Sequence, residues 1–304
     1  MDFFVRVPGS CGELLQGWYQ GEPFLVTCPI ARYTTVEVSS AFRGREGLGE
    51  KAERAFFMTL SYLEVQEFPY GLRLRSELPQ GKGMASSSAD IAAVMAAVSY
   101  ALRRPLTPRQ ILALAVQIEP TDATFLRGIV RLNQVKGRVL EVYDKLPYLP
   151  ISIFDTGGTI DTADFYRTAA QGKEERDWSG IFSQLPQGEI GLAAAAVQSA
   201  LWQEQILPKS CLRLLLQKAG ALGALGVTAA HSGTVLGVLW PAGMAEEQIL
   251  SGAASLHLSM PKLVYFGTTA MRPGGIETAV KHKDKNEGNE QHGCGAFCAW
   301  RQYL

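Results

Sequence analysis

The sequence predicts an α+β chain built as two domains, 1–148 and 149–304, and three observations carry that prediction. Apolar runs with helical spacing alternate along the chain with short period-two stretches, such as TTVEVSS around Val36 and Val38 and GLRLRS around Leu72 and Leu74. A length of 304 residues, 47% hydrophobic and 19% charged, suffices for two ordinary cores and excludes a disordered or fibrous chain. Pro147 and Pro150 punctuate the middle of the chain, between a hairpin pattern and a fresh apolar strand, and the boundary falls there.

The elements follow in order. Phe3 to Val7 reads as a strand that runs into a turn-rich segment, Pro8 to Glu13. Strands are expected around Val36 and Leu72, with a helix between them over Glu50 to Leu63. Pro79 to Leu102 is a glycine-punctuated loop, a run of serines, and a helix whose apolar stripe falls at Ile91, Met95, Val98 and Leu102. Thr107-Pro108 starts a further helix that Pro120 stops after Glu119. Gly128 to Leu132 and Arg138 to Val142 form a hairpin around Lys136-Gly137. The second half opens with a strand, Ile151 to Phe154, ending in Asp155-Thr156-Gly157-Gly158. Helical patterns follow from Thr162, over Glu189 to Glu204 and over Lys209 to Ala219. A glycine-rich loop, Gly226 to Thr234, precedes a strand over Val235 to Trp240, then a helix from Ala245 and a strand over Leu263 to Phe266. Lys281 to His292 is nearly all polar and reads as a solvated segment.

Bulk properties narrow the partners. A net charge of zero leaves no electrostatic footprint for nucleic acid or an anionic membrane, so a small-molecule partner is expected. The N-terminus MDFFVRVPGS lacks the features of a signal peptide, and the uncharged stretch Ala219 to Trp240 is broken by glycines, His231 and Ser232; a cytoplasmic protein is expected. Five scattered cysteines argue against a disulfide framework. His292, Cys294 and Cys298 lie close enough to raise zinc, but no second ligand pair stands at a recognised spacing.

The chemistry concentrates in PQGKGMASSSAD. A helix N-terminus presents unpaired N–H groups and positive potential, glycines such as Gly81 and Gly83 let the backbone approach an anion, and Ser86, Ser87 and Ser88 add hydroxyls for a phosphate oxygen or a Mg²⁺ shell. Serine is also a helix N-cap, so the run could be only a start signal. The loop is not a Walker A motif, because Lys82 is followed by Gly83, nor a dinucleotide fingerprint, because Ser86 replaces the third glycine.

The pattern it fits is Pro-x-x-x-Gly-(Leu/Met)-(Gly/Ala)-Ser-Ser-(Ala/Ser)-Ala, and with the early Pro-Gly segment and the late Ser-Gly loop the chain resembles the GHMP small-molecule kinases over essentially its whole length. Within that superfamily PGSCGELLQG, GKGMASSSADIAA, EPTD, DTGG and AHSGT are similar to the L-threonine kinases of cobalamin biosynthesis. The resemblance implies a ribosomal-protein-S5-like N-terminal domain that binds ATP, a ferredoxin-like C-terminal domain, and a site in the cleft between them that phosphorylates the L-threonine hydroxyl. A kinase of another hydroxyl, such as homoserine, and a catalytically silent nucleotide sensor remain the alternatives. The first motif departs from the broader superfamily pattern, with Ser10 where Lys or Arg is common.

Carried over residue by residue, the resemblance implies that Pro79, Gly81, Lys82, Gly83, Met84, Ala85, Ser86, Ser87 and Ser88 bind ATP. Ser87 matches the family serine beside Mg²⁺, and Glu119 is the expected second ligand, its carboxylate suiting a hard cation. Asp122 is the candidate acceptor of the substrate proton, with a simple Asx-type turn as its structural alternative. An amino-acid substrate also needs partners for its two charges. Glu13, Asp155 and Asp161 are candidates for the ammonium, and the backbone at Gly157-Gly158 or Ser232-Gly233 for the carboxylate. His231 stands in the same loop, as a substrate contact or as a satisfied core histidine.

Overall fold

The computed structural model describes residues 2–41, 43–159, 176–280 and 301–302. The expected helix from Thr162, Asp161, the polar segment 281–292 and the group His292, Cys294 and Cys298 lie outside the described residues.

Two long strands, β1 (Asp2–Tyr19) and β2 (Glu22–Ser39), form the spine of the molecule as an antiparallel hairpin. Gln20 and Gly21 close it with φ of 52° and 75°, the positive pair that matches the twist of a two-residue hairpin turn. The expected turn at Pro8 to Glu13 is instead part of β1. Its Pro and Gly residues are taken up as bulges, with register shifts between Pro8 and Ser10, Ser10 and Glu13, and Glu13 and Leu15. At Gly12 the strand passes so close to the chain at Ala229 and Ala230 that an added Cβ would lie 2.5 Å from Ala230 N, and φ is +63°.

The remaining elements add to this hairpin on both sides. In the first half come β3 (Arg45–Glu46), α1 (Glu50–Tyr62), β4 (Gly71–Ser76), α2 (Ser86–Ala101), α3 (Pro108–Ala115), and the hairpin β5 (Ile129–Asn133) and β6 (Arg138–Tyr143). In the second half come β7 (Pro150–Asp155), α4 (Ser179–Gln184), α5 (Gly188–Gln203), α6 (Leu212–Ala221), β8 (Gly226–Ala229), β9 (Val235–Leu239), α7 (Glu246–Ser259), β10 (Val264–Ala270), β11 (Glu277–Val280) and β12 (Arg301–Gln302). The main sheet path runs β10-β7-β9-β8-β1-β2-β4-β3. It crosses between the halves at one pair, Glu13 of β1 against Ala229 of β8. β11 then returns along Phe3 to Arg6 of β1, so the last strands of the chain close the sheet on the first.

Three expectations need correction besides β1. The helix α2 has no single apolar stripe: Ser86 and every residue from Ser88 to Ser99 are buried, because α2 packs on α1, α3, β1, β2 and β4 together. The helix α3, started by a capping box between Thr107 and Gln110, ends at Ala115 and not at Glu119. Beyond it Gln117 and Ile118 donate to the carbonyls of Leu114 and Ala115, a tightened last turn that delivers Glu119 to Pro120. Finally, the first four residues of the expected loop at Gly226 to Thr234 are strand β8, paired along their length with β9.

Candidate active site

The three glycine-rich motifs meet at one place, and backbone hydrogen bonds hold them there. From β1, Ser10 N–H donates to Met84 O at 3.0 Å and Gly12 N–H to Gly83 O at 3.1 Å. From the turn between β8 and β9, Thr234 and Val235 N–H both donate to Lys82 O, at 2.9 and 3.1 Å. The approach depends on the absence of side chains. A Cβ on Gly83 would lie 2.5 Å from that of Ala230, and one on Gly233 would lie 2.4 Å from both Gly83 Cα and Lys82 O. Ser10 is fully buried, which accounts for a small residue where the superfamily commonly carries a basic one.

The loop so clamped delivers the N-terminus of α2. Gly81 and Gly83 hold φ of 69° and 81°, and Ala85, at the N-cap, is also left-handed at 55°. No side chain caps this helix and no acid stands in its first turn. Serine as a mere start signal is therefore not what is found: Ser86, Ser87 and Ser88 lie inside the first turn, after the cap. Ser88 Oγ accepts the N–H of Asp122 at 3.0 Å, while the Ser86 and Ser87 hydroxyls have no protein partner among the described residues. Pro79 precedes the clamped turn, and buried Met84 anchors it to the core.

The bond from Asp122 to Ser88 sets the EPTD turn directly on α2. Thr27 braces it from β2, donating to the Asp122 carboxylate at 3.4 Å and accepting from Ala123 N–H at 3.2 Å. Burial, and then the negative charges of Glu13 and Glu119, push the Asp122 carboxyl well above the usual range against the pull of the Thr27 hydroxyl. Glu119 is ion-paired with Lys51 of α1. A further acid joins the group: Asp90 of α2 is buried, accepts from Thr34 Oγ1 at 2.6 Å, and is raised to about 6 by burial first, with Glu119 contributing. The sequence carried a signal for it, since Asp90 is the one charged residue between Met84 and Leu102. For Thr27 and Lys51 there was none.

Among the described residues, no three His, Cys, Asp or Glu side chains are grouped to hold a metal ion by themselves. The donors that the Ser87 and Glu119 expectation names do suit Mg²⁺, which takes oxygen, keeps several waters and shares phosphate oxygens, and needs only one or two carboxylates from protein.

On the side of the second half, Asp155 at the end of β7 already holds an ammonium, that of Lys82. Lys82 Nζ donates to Asp155 Oδ2 and to Gly158 O, both at 2.6 Å, while Thr234 Oγ1 and Gly157 N–H donate to Asp155 Oδ1 at 2.5 and 3.1 Å. Burial would raise this carboxyl, but the bonds from Lys82, Thr234 and Gly157 outweigh it and hold it below the usual range. Asp155 is thus a brace for the glycine-serine loop here, its charge already paired with the Lys82 ammonium. Gly157 spends its N–H on that brace, which leaves Gly158, Ser232 and Gly233 as the backbone candidates for an anion.

The expectation for His231 as a substrate contact is corrected. It is fully buried, with Nε2 at 2.8 Å from Ser199 Oγ, Nδ1 at 3.0 Å from Ala229 O and 3.3 Å from Glu13 Oε2, and its N–H donating to Glu13 Oε2 at 2.7 Å. With both ring nitrogens engaged it has no atom for a ligand. What it does is hold Glu13, which stands on β1 within electrostatic reach of Asp122.

Comparison with known proteins bears on the family and the fold. Residues 51–128 match the family described as GHMP kinases N terminal domain. An L-threonine kinase of Citrobacter freundii is 32% identical over 249 residues, 77% of this chain and 85% of that protein. One of Salmonella typhimurium is 30% identical over 245 residues, 77% of this chain and 82% of that protein. Among solved structures, a mevalonate kinase superposes with a TM-score of 0.64 at 13% identity, covering 88% of this chain and 99% of its own. A homoserine kinase of Cytophaga hutchinsonii gives 0.62 at 16% identity, covering 91% and 97%. At such identities these two establish the two-domain α+β fold and nothing finer.

Proposed function

This chain belongs to the GHMP kinases, and on that premise we propose that it transfers the γ-phosphoryl group of ATP to the side-chain hydroxyl of L-threonine, giving O-phospho-L-threonine and ADP. The observation that carries the reading is the uncapped first turn of α2, with two unpartnered hydroxyls, clamped between two other glycine motifs. Such a turn offers N–H groups and positive potential to phosphate oxygens, and phosphoryl transfer asks a protein for little beyond position and charge. The choice of L-threonine is supported by the two relatives and by the wording of five motifs.

Each residue then has a task. The backbone of Gly81 to Ser88 cradles the phosphates, and Lys82, paired with Asp155, fixes the edge of the cradle. Mg²⁺, when bound, neutralises charge on the phosphates, and Ser87 and Glu119 would supply oxygen ligands to it. Asp122 accepts the hydroxyl proton. Glu13 takes the substrate ammonium, because Asp155 is committed to Lys82. Backbone N–H groups at Gly158, Ser232 or Gly233 take the carboxylate. On this reading residues 1–148 carry the ATP site, 149–304 complete the cleft, and a cytoplasmic enzyme supplies the phosphothreonine from which the aminopropanol linker of cobalamin derives.

Coupled ADP release, screened over L-threonine, L-serine, L-homoserine and sugars, tests it. L-Threonine should give the highest kcat/KM, with L-serine about 10–200-fold lower for one missing methyl. Equal or better use of L-homoserine would move the chain to the homoserine reading. ATP binding with no turnover of any acceptor would make it a silent sensor.

A further inference from the structure

We infer that Ser199, on α5 and buried beneath the cleft, is a positioning residue for the substrate ammonium site, acting through His231 on Glu13; the inference rests on the proposed role of Glu13. The chain of contacts is continuous. Gln16 N–H donates to Ser199 Oγ at 3.2 Å, Ser199 Oγ meets His231 Nε2 at 2.8 Å, and His231 meets Glu13 Oε2 through its own N–H and through Nδ1. Ser199 and His231 are 1% and 0% exposed, so the link between them is buried, and Glu13 at its end is 4% exposed.

The acceptors assign the protons. Nδ1 faces two acceptors, Ala229 O and Glu13 Oε2, so it must carry hydrogen. Nε2 then needs a donor if the ring is neutral, and Ser199 is that donor, because its lone pairs can still accept from Gln16. The peptide carbonyls beside the ring are fixed as well: Gln203 Nε2 donates to His231 O at 2.7 Å and Lys209 Nζ to Ala230 O at 2.6 Å. The loop cannot shift to compensate for a lost ring contact. Without the Ser199 hydroxyl, Nε2 is a buried acceptor with no partner, and the ring either rotates or takes the other tautomer. Both outcomes release Nδ1–H from Glu13, so the carboxylate that receives the amino acid loses its fixed rotamer while the ATP loop on the other side keeps its own clamp.

The test is Ser199→Ala beside Glu13→Gln, with Ser199→Thr as the conservative variant. Ser199→Ala should raise KM for L-threonine by about 5–50-fold, with kcat and the KM for ATP within about twofold of the parent, and Ser199→Thr should restore most of the loss. A stability defect alone would lower active enzyme and leave this split unmoved. If Glu13→Gln raises the L-threonine KM and Ser199→Ala does not, the positioning role is overturned and the reading of Glu13 stands. If Glu13→Gln leaves that KM unchanged, both fall. Should Ser199→Ala fail to fold, imidazole ¹⁵N spectra of the parent protein decide: hydrogen on His231 Nδ1 with Nε2 bare upholds the chain of donors, and hydrogen on Nε2 overturns it.

Discussion

Asp122, the proposed proton acceptor, binds a proton more tightly than an ordinary aspartate. Its carboxyl shares the cleft with Glu13 and Glu119, and burial together with those charges raises its affinity for a proton. A base works best when its pKa nears the working pH, so the crowding that makes Asp122 costly to ionise also makes it effective once ionised. The sign of the pH effect follows. The base must be deprotonated to act, so kcat/KM, which reports the free enzyme, should fall on the acid side through a pKa above the normal aspartate range. Asp122→Asn should lower kcat by about 10²–10⁴-fold and remove that acid limb. Glu13→Gln, by deleting the stronger of the two like charges that raise Asp122, should move the limb to lower pH. A drop of less than about fivefold in kcat for Asp122→Asn with an unchanged pH profile would reduce the residue to a turn-former braced by Ser88 and Thr27, and leave the transfer to charge neutralisation alone.

At the scale of elements, the site is a three-way contact of turns in which two glycines touch. Gly83→Ala and Gly233→Ala each place a Cβ inside the same gap, 2.5 Å from Ala230 Cβ in the first case and 2.4 Å from backbone atoms in the second. Backbone cannot yield as a side chain can, so each variant should part the glycine-serine loop from the turn between β8 and β9. The expected cost is about 1–3 kcal/mol of stability and a raised KM for ATP, checked by chemical denaturation and steady-state kinetics. Because both substitutions open one gap, the double variant should cost less than the sum of the singles. Additive losses would show that the turns do not share a contact. The sequence made α1, the β5–β6 hairpin and the start of α3 legible, since capping and alternation are local signals. It hid the strand through Pro8 to Glu13, where bulges absorb residues that normally mark a turn, and β8, whose four residues are defined by their partner. In the candidate site, motif and spacing singled out the serine loop and Asp122, which the fold brings together through the bond from Asp122 N–H to Ser88 Oγ. The Lys82–Asp155 brace and the Ser199–His231–Glu13 chain were not, because each joins residues that only the fold brings together.

At the scale of the molecule, the two halves share one sheet. Among the described residues twelve strands form a single hydrogen-bonded network, crossing at Glu13 and Ala229 and closed by β11 returning to β1. One apolar core runs across both halves, from Phe3 through α2 to Leu192 and Ile276, and a second, around Phe154, Leu236 and Trp240, lies within the second half. Residues 1–148 cannot lose their fold without unpairing β11, and residues 149–280 cannot lose theirs without exposing β1. The halves should therefore melt in one calorimetric transition, with the van't Hoff and calorimetric enthalpies equal. On the proposed reading ATP with Mg²⁺ binds at the N-terminus of α2, and in a single cooperative unit its binding energy is felt everywhere. At a ligand concentration of 100 times Kd the native state gains about 2.7 kcal/mol, which for an unfolding entropy of about 2 cal/mol/K per residue over 304 residues raises the Tm by about 4 °C. The whole peak should move together. Two resolved transitions, only the first of them shifted by ATP, would mean that the bridge at Glu13 is too weak to couple the halves, and the cleft would then open by separation of its walls before either half unfolds.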